Sequence, residues 1–322
     1  MRWLSDQVVD QLRATIETPD VTGTRYRLVR LLARGGMGAV WLAEDTALNR
    51  QVALKILNFA DEQEDLSARL LREAEILASL EHPGLVPVHD AGTLADGRVF
   101  YCMKYVQGET LDRHIAKDIS LSERLRLIQR IAEPLAFAHS RGVLHRDLKP
   151  TNIMIGPFGE VLVMDWGLAR QAGGPSTEAA SHAAPTNTKS STPATGVVGT
   201  PGYMSPEQAR GEPADSRSDV FSLGAVMQFV LTQGKALENA SRPKALKAIC
   251  DKAMSPEPSS RYQSVEEFSA DISKYLEQEP VSAYRESIFE RTRRLANRHS
   301  TAIMLVLAYL LMRTLFIIFA KH

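Results

Sequence analysis

A polar segment at residues 145–152 constrains this chain more than any other part of its sequence. It reads His-Arg-Asp-Leu-Lys-Pro-Thr-Asn, and an Asp-Trp-Gly triplet follows at residues 165–167. Phosphoryl transfer needs a carboxylate to orient the attacking hydroxyl, a cation near the transferred phosphate and oxygen ligands for a divalent metal. Four residues offer these groups in the required order: Asp147, Lys149, Asn152 and Asp165. The spacing therefore predicts a phosphoryl-transfer site.

Three further motifs flank this segment. Residues 33–40, Ala-Arg-Gly-Gly-Met-Gly-Ala-Val, look like a glycine-rich phosphate loop, and residues 52–55, Val-Ala-Leu-Lys, look like the strand that carries an ATP lysine. Residues 199–207, Gly-Thr-Pro-Gly-Tyr-Met-Ser-Pro-Glu, resemble the end of an activation segment. From about residue 25 to about residue 278 the chain resembles the eukaryotic-like (Hanks-type) Ser/Thr protein kinases, and most of all their bacterial members.

The resemblance implies an α+β, bilobal fold. A β-rich N-lobe with one main helix would span residues 25–104 and a mostly helical C-lobe residues 105–278, with the activation segment at 165–207. Local patterns agree with this division. Apolar and β-branched runs predict strands at residues 26–33, 39–44, 51–57, 85–89 and 99–104. Apolar periodicity and capping signals predict helices at residues 61–80, 120–140, 219–231, 243–254 and 264–276.

Three details of the C-lobe sequence depart from a regular helical pattern or from the family. Pro134 falls inside a predicted helix and is expected to kink it. Residues 171–195 are rich in small and polar residues and are expected to be mobile. The connection at residues 234–245 is shorter than in the family, so we expect a trimmed surface for docking substrates.

The resemblance also implies which residues bind ATP. The matching positions are Ala33, Gly35, Gly36, Gly38, Val40, Ala53, Lys55 and Glu73. Glycines let backbone N–H groups approach phosphates without a Cβ in the way. Ala33 replaces the usual first glycine, so a modest loss of nucleotide affinity is expected. Val40 and Ala53 would form apolar walls around adenine, although plain sheet core explains both equally well.

A lysine–glutamate pair is expected behind these walls. Lys55 would contact the α- and β-phosphates and be held by a carboxylate of the following helix. Glu73 and Glu75 compete for this position, and the family pattern favours Glu73.

The family also implies the catalytic roles. Asp147 would be the catalytic base and Lys149 the cation on the γ-phosphate. Asn152 and Asp165 are hard oxygen ligands suited to Mg²⁺ or Mn²⁺. Trp166 replaces the phenylalanine that usually follows the metal-binding aspartate.

Other positions match structural or regulatory residues of the family. His145 is expected to pack beneath the metal motif, Asp219 to brace the catalytic loop and Thr200 to bond Asp147 and Lys149. A buried ion pair is expected between Glu207 and Arg261. Arg146 beside the catalytic aspartate implies regulation by phosphate on the activation segment. The candidate hydroxyls are Ser190, Ser191, Thr192 and Thr195, of which the two threonines are preferred.

Composition excludes some partners and compartments. The chain has 38 Lys and Arg residues against 38 Asp and Glu residues, which gives no basic field for nucleic acid. The two cysteines, Cys102 and Cys250, are too few for a disulfide framework and favour a reducing cytoplasm.

The two ends of the sequence carry further signals. Residues 1–24 are expected to form a helical extension. Residues 302–320 are apolar and long enough to cross a hydrocarbon core of about 30 Å at about 1.5 Å per residue. The preceding basic segment, residues 279–301, would keep the kinase domain on the cytoplasmic side of the inner membrane. Arg313 within the span costs about 2.5–3.5 kcal/mol, and a buried or interfacial helix is the alternative.

Three functions fit the motifs. The leading hypothesis is an active Ser/Thr protein kinase that uses ATP and protein substrates, with a homodimer for trans-autophosphorylation. The substitutions at Ala33 and Trp166, together with the shortened C-lobe, motivate a nucleotide-binding pseudokinase scaffold as the alternative, although every polar residue required for transfer is present. A small-molecule kinase ranks last because the chain has the end of an activation segment.

Overall fold

The computed structural model of the protein describes most of the chain. It covers residues 18–35, 38–57, 64–117, 119–166, 170–171, 200, 202–233, 243–288, 290–292, 304–306 and 308–313. The bilobal architecture that the sequence predicts is confirmed, with a β-rich N-lobe followed by a helical C-lobe. The predicted N-terminal extension up to residue 17 and most of the activation segment lie outside the described residues.

The N-lobe is built on one antiparallel sheet. Its strands are β1 (Tyr26–Arg34), β2 (Gly38–Asp45), β3 (Arg50–Leu57), β4 (Val88–Thr93) and β5 (Val99–Lys104). They lie in the order β1-β2-β3-β5-β4, and the helix α1 (Glu64–Ser79) packs against the sheet. The strand predicted at residues 85–89 was placed too early. Pro87 cannot donate to a strand ladder, and Leu85 and Val86 are instead buried in the loop before β4.

The two faces of this sheet bury different clusters of side chains. One face joins α1 and the C-lobe in the main core, which includes Ala53, Leu77 and Tyr101. The opposite face buries a second cluster that includes Tyr26 and Leu54. Because strand residues alternate between faces, neighbouring residues of β3 serve the two clusters in turn.

The C-lobe is mostly helical. Its helices are α2 (Leu111–Ile115), α3 (Leu121–Ser140), α4 (Pro206–Ala209), α5 (Ser216–Thr232), α6 (Lys244–Ala253) and α7 (Val265–Leu276). Short strands complete it: β6 (Glu109–Thr110), β7 (Val143–Leu144), β8 (Ile153–Ile155), β9 (Val161–Val163) and β10 (Arg170–Gln171). The expected helix starts are explained by caps, since Ser120 and Ser264 each accept a hydrogen bond from the backbone N–H three residues later. The helix α3 continues through Pro134 as one element.

Packing of the C-lobe continues beyond residue 278. Val281 is buried in the main core, and the carboxylate of Asp271 accepts hydrogen bonds from the backbone N–H groups of Ser282 and Ala283. The chain therefore stays attached to the C-lobe after α7 ends.

The described part of the C-terminal apolar segment, residues 304–306 and 308–313, is helical. Its large apolar side chains are exposed, Met304 by 70% and Leu311 by 65%. Within the described ranges, no helix has the length and apolar character that crossing a membrane requires. The remainder of the expected span, including residues 314–320, lies outside those ranges.

Candidate active site

Asp219 of α5 holds the catalytic loop, which follows β7. Its carboxylate is fully buried and accepts hydrogen bonds from the backbone N–H groups of His145 and Arg146, both at 2.8 Å. His139 Nε2 lies 2.7 Å from the same carboxylate. Burial opposes the negative charge, but the contact with His139 and nearby positive charge outweigh it and lower the pKa of Asp219. This anchoring keeps Arg146 at φ 68°, a left-handed conformation that disfavours a residue with a Cβ.

The loop places Asp147 beside a cation and a hydroxyl. Lys149 Nζ is 2.7 Å from Asp147 Oδ2 and 2.8 Å from Thr200 Oγ1. Asp147 Oδ1 accepts hydrogen bonds from both the backbone N–H and the hydroxyl of Thr200, at 3.1 and 3.0 Å. The contacts expected of Thr200 are thus present, and the start of the residue 200–207 segment is attached to the candidate catalytic carboxylate.

Asn152 and Asp165 contribute oxygen atoms to the same cleft. The Asn152 amide nitrogen donates to the Asp147 backbone carbonyl at 3.0 Å, which leaves the amide oxygen to act as a ligand. Asp165 is about half exposed, and its Oδ1 lies 3.0 Å from Lys55 Nζ. Hard oxygen donors of this kind suit Mg²⁺. Among the described residues, no group of three or more His, Cys, Asp or Glu side chains is placed to hold a metal ion.

A buried ion pair joins β3 to α1. Lys55 Nζ lies 2.8 and 2.9 Å from the two carboxylate oxygens of Glu73, whereas Glu75 is exposed on the other side of the helix. Burial lowers the tendency of Lys55 to be charged, but the attraction of Glu73 and Asp165 outweighs it and raises its pKa. Burial likewise opposes the charge of Asp165, and Lys55 lowers the pKa of that carboxyl. Lys55 and Asp165 therefore each favour the charged form of the other.

The cleft between the lobes is a cavity of about 360 Å³. Its lining includes Ala33, Gly35, Gly38, Val40, Lys55, Leu77, Val86, Met103, Met164 and Asp165. Ala53 lines the adjoining part of the cleft near the lobe connection, while Gly36 lies outside the described residues. Gly38 has a specific steric reason to be glycine, because a Cβ there would lie 2.4 Å from the Ile56 carbonyl oxygen.

Trp166 is completely buried beneath the loop. Its ring lies 4.6 Å, between centroids, from the ring of His145, and its indole nitrogen is 3.4 Å from the Val163 carbonyl. His145 Nε2 is 3.1 Å from the Met164 carbonyl oxygen. The larger ring thus fits the core of this chain, and His145 packs beneath residue 165 as the sequence predicts.

Three residues in or beside the cleft were not predicted from the sequence: Tyr101, Met103 and Gln208. The hydroxyl of Tyr101 donates a 2.8 Å hydrogen bond to Glu73 Oε1, and Gln208 donates to the Arg146 carbonyl. Met103 lines the apolar part of the cleft. Tyr101 and Met103 could have been found from the alternation of side chains along β5. The two residues are two positions apart, so they lie on the same face of the sheet, and this is the face on which Lys55 of the neighbouring strand β3 lies.

The buried ion pair of the C-lobe is present as expected. Arg261 donates from both Nη atoms to the two carboxylate oxygens of Glu207, each at 2.7 Å. The Ser218 hydroxyl adds a third bond to Glu207 at 2.6 Å. Burial opposes the charge of Glu207, yet these donors lower its pKa to about 2. The pair fixes the end of the residue 200–207 segment to the C-lobe.

Comparison with known proteins agrees with this fold and geometry. Residues 26–286 match the protein kinase domain family, and the chain belongs to that family. Among curated relatives, it is 35% identical over 295 residues to "Serine/threonine-protein kinase PknD" of Protochlamydia amoebophila. It is 36% identical over 297 residues to "Probable serine/threonine-protein kinase SCO3848" of Streptomyces coelicolor. The chain is therefore related to the bacterial members of the eukaryotic-like Ser/Thr protein kinases.

A solved structure supports the same fold. The crystal structure of the Mycobacterium tuberculosis PknI kinase domain matches with a TM-score of 0.58 and 26% identity, covering 80% of this chain and 98% of that one. The curated relatives are longer than this chain. The matches cover 78% of this chain but 30% of the Protochlamydia protein, and 83% but 42% of the Streptomyces protein.

Proposed function

We propose that this protein is a Ser/Thr protein kinase that transfers the γ-phosphoryl group of ATP to hydroxyl groups of protein substrates. The observation that carries the proposal is the contact between Asp147, Lys149 and Thr200. A carboxylate, an ammonium group and a hydroxyl meet there at the edge of the cleft that holds Lys55 and Asp165. Phosphoryl transfer depends on positioning and charge, and this arrangement supplies both.

In this mechanism Asp147 orients the substrate hydroxyl and accepts its proton. The oxygen of that hydroxyl forms a bond to the γ-phosphorus, while the bond from the γ-phosphorus to the bridging oxygen of ADP breaks. Lys149 stabilises negative charge on the transferred group, and Lys55, held by Glu73, orients the nucleotide phosphates.

We further propose that Asn152 and Asp165 hold the divalent metal, with Mg²⁺ as the physiological ion and Mn²⁺ as a substitute. The metal would neutralise phosphate charge when bound. This assignment is supported by two hard oxygen donors that line one cavity. An Asp165→Asn variant should therefore bind ATP with a much weaker dependence on Mg²⁺ than the wild type.

The decisive test incubates the full chain with Mg-ATP and a generic protein substrate, beside an Asp147→Asn variant. Mass spectrometry then locates phosphate on the chain and on the substrate. The proposal predicts phosphoserine and phosphothreonine with the wild type only. Activation-segment phosphate is expected on Thr192 or Thr195, which lie outside the described residues. A wild type that binds Mg-ATP but labels no protein would favour a pseudokinase. Label on a sugar or an antibiotic alone would indicate a small-molecule kinase.

We propose that residues 302–320 anchor the protein in the inner membrane with the kinase domain in the cytoplasm. The exposed apolar side chains at residues 304–306 and 309–312 support an apolar environment for this helix, because water disfavours such a surface. The basic segment before it, including Arg291, supports the orientation. The full chain should float with liposomes in a density gradient, and Leu305→Asp combined with Leu311→Asp should release it. A chain that never floats would contradict the anchor.

We also propose that activation-segment phosphorylation occurs between two copies of the chain. Thr200 is bonded to Asp147, so a hydroxyl a few residues earlier would have to reverse direction to reach the same carboxylate. A second copy can present its segment without that reversal. Mixed with wild type and Mg-ATP, the Asp147→Asn chain should acquire phosphate on Thr192 or Thr195, whereas an Asp147→Asn chain that stays unlabelled beside a labelled wild type would contradict transfer between copies.

A further inference from the structure

Tyr101 occupies a position from which it can control the lysine–glutamate pair. It lies on β5 directly opposite Lys55 of β3, so both side chains project from the same face of the sheet toward α1. Its hydroxyl is 2.8 Å from Glu73 Oε1, and the residue is only 2% exposed. Lys55 Nζ lies 5.8 Å from the centre of the Tyr101 ring. The strands β3 and β5 and the helix α1 are therefore joined by the side chains of Lys55, Tyr101 and Glu73.

The buried Glu73 carboxylate depends on hydrogen-bond donors from the protein. Glu73 is only 4% exposed, and a buried carboxylate without hydrogen-bond donors is strongly disfavoured. Among the described residues, two side chains donate hydrogen bonds to it: the ammonium group of Lys55 and the hydroxyl of Tyr101. They differ in one respect. The ammonium group also contacts Asp165 and faces the cleft, whereas the hydroxyl is directed at Glu73.

The shared donor is the one that ligand binding perturbs. Phosphate oxygens entering the cleft compete with Glu73 for the hydrogen atoms of the Lys55 ammonium group. Tyr101 lines the same cleft as Lys55, but it is only 2% exposed and its hydroxyl already donates to Glu73, so entering phosphate competes for it less than for the Lys55 ammonium group. It can keep Glu73, and with it the helix, in place while Lys55 binds phosphate.

We propose that Tyr101 is a positioning residue for nucleotide binding, whose hydroxyl holds Glu73 and α1 in the arrangement that lets Lys55 receive phosphates. The inference rests on the proposed kinase function in one respect, namely that Lys55 binds the phosphates of the nucleotide. It concerns affinity for nucleotide and the order of α1, and it is separable from phosphoryl transfer.

The phenol is suited to this role over the whole working range of pH. Burial and the adjacent Glu73 carboxylate raise the pKa of Tyr101 well above its ordinary value. The shift favours the protonated hydroxyl, which is the form that donates to Glu73. An ordinary surface tyrosine would begin to ionise near pH 10.

The test removes the hydroxyl and keeps the ring. Mg-ATP binding to the full chain is measured by isothermal titration calorimetry for the wild type and for Tyr101→Phe. The variant should bind Mg-ATP about tenfold more weakly, because Glu73 then depends on the Lys55 ammonium group that phosphate competes for. Amide hydrogen exchange over residues 64–79 should also become faster, because α1 loses an attachment to β5.

Tyr26→Phe provides the matched control. Tyr26 is also buried in the N-lobe, at 5% exposure, and its hydroxyl donates a 2.8 Å hydrogen bond to a carboxylate, that of Asp90. It belongs to the second cluster on the opposite face of the sheet, away from the cleft. Both variants should unfold a few degrees lower than the wild type, and only Tyr101→Phe should weaken nucleotide binding.

A double-mutant cycle identifies the partner of the hydroxyl. If Tyr101 acts through Glu73, then Tyr101→Phe should change Mg-ATP affinity much less in a Glu73→Gln background than in the wild type. In steady-state kinetics the single variant should raise KM for ATP and leave KM for the protein substrate unchanged.

Three results would overturn the inference: Tyr101→Phe binding Mg-ATP within twofold of wild type, equal weakening by Tyr26→Phe, or a full effect of Tyr101→Phe in the Glu73→Gln background. A wild type that binds Mg-ATP and transfers no phosphate would remove the proposed kinase function. The binding and exchange comparisons would still decide the role of Tyr101. Failure of the two proposals is therefore distinguishable.

Discussion

Replacing Asp219 with asparagine should separate the role of the catalytic-loop anchor from general stability. The carboxylate accepts the N–H groups of His145 and Arg146 and contacts His139, all within 2.8 Å. Asparagine retains only one oxygen, so its NH₂ group must face at least one of the two backbone N–H donors. The lost bond to a charged acceptor is worth about 1.5–3 kcal/mol, and the stranded buried donor adds about 1–3 kcal/mol. We expect these losses together to lower the free energy of unfolding by about 3 kcal/mol.

The effect on catalysis should be larger than this loss of stability suggests. Without both anchors the backbone at Arg146 is free to leave its left-handed conformation, and Asp147 moves with it. A displacement of about 1 Å at a reacting group can lower the rate about 10²-fold. Steady-state phosphorylation of a protein substrate should therefore show kcat reduced about 10²-fold. KM for ATP should stay within twofold, because Lys55 and Glu73 are untouched.

Asp271→Asn is the matched control for this prediction. Asp271 is also buried in the C-lobe, at 1% exposure, and accepts bonds from Tyr262, Ser282 and Ala283. The variant should lose similar stability in urea unfolding and keep kcat within twofold. The reasoning is refuted if Asp219→Asn retains wild-type kcat, or if Asp271→Asn lowers kcat to the same extent.

Three further variants test other parts of the structure. Lys55→Met should weaken Mg-ATP binding at least about tenfold, since an ammonium–phosphate interaction is lost. Gly38→Ala should weaken binding and lower Tm, because its Cβ would lie 2.4 Å from the Ile56 carbonyl oxygen. Arg261→Met should cost about 3–5 kcal/mol in urea unfolding by leaving Glu207 buried without its partner, and Glu207→Gln added to it should restore part of the loss. The ion pair should also govern acid stability: with the pKa of Glu207 lowered to about 2, its contribution is complete above pH about 4.5 and is lost as pH falls toward 2.

Each of these expectations has a contrary outcome. If Lys55→Met binds Mg-ATP with unchanged affinity in calorimetry, the phosphates do not contact Lys55. If Gly38→Ala has an unchanged Tm, the strands at that position can move apart enough to accommodate the added Cβ. If the double variant at Glu207 and Arg261 is no more stable than Arg261→Met, the stranded charge is not the cause of the loss. Acid titration of Glu207→Gln that matches the wild type would remove this group from the acid transition.

The sequence was informative about the site where chemistry dictates residue type. Phosphoryl transfer limits which side chains can orient a hydroxyl or bind phosphate, so Asp147 and Lys149 stand out by identity and spacing. The helix caps Ser120 and Ser264 are local for a similar reason, because each bonds an N–H only three residues away. By contrast, the first residues of β4 could not be placed from apolar content alone. Leu85 and Val86 are buried in a loop, and Pro87 interrupts the ladder.

By itself, the sequence determined the family, the order of strands and helices, and the polar residues that face one another across the cleft. Only the tertiary structure decided which partners those residues have. The Tyr101 hydroxyl contacts Glu73 because β3, β5 and α1 pack together at that point. The two residues are 28 positions apart along the chain. The anchoring of Arg146 by Asp219 spans 73 residues. Short-range spacing records what a motif needs locally, whereas contacts between distant segments depend on how the whole core packs.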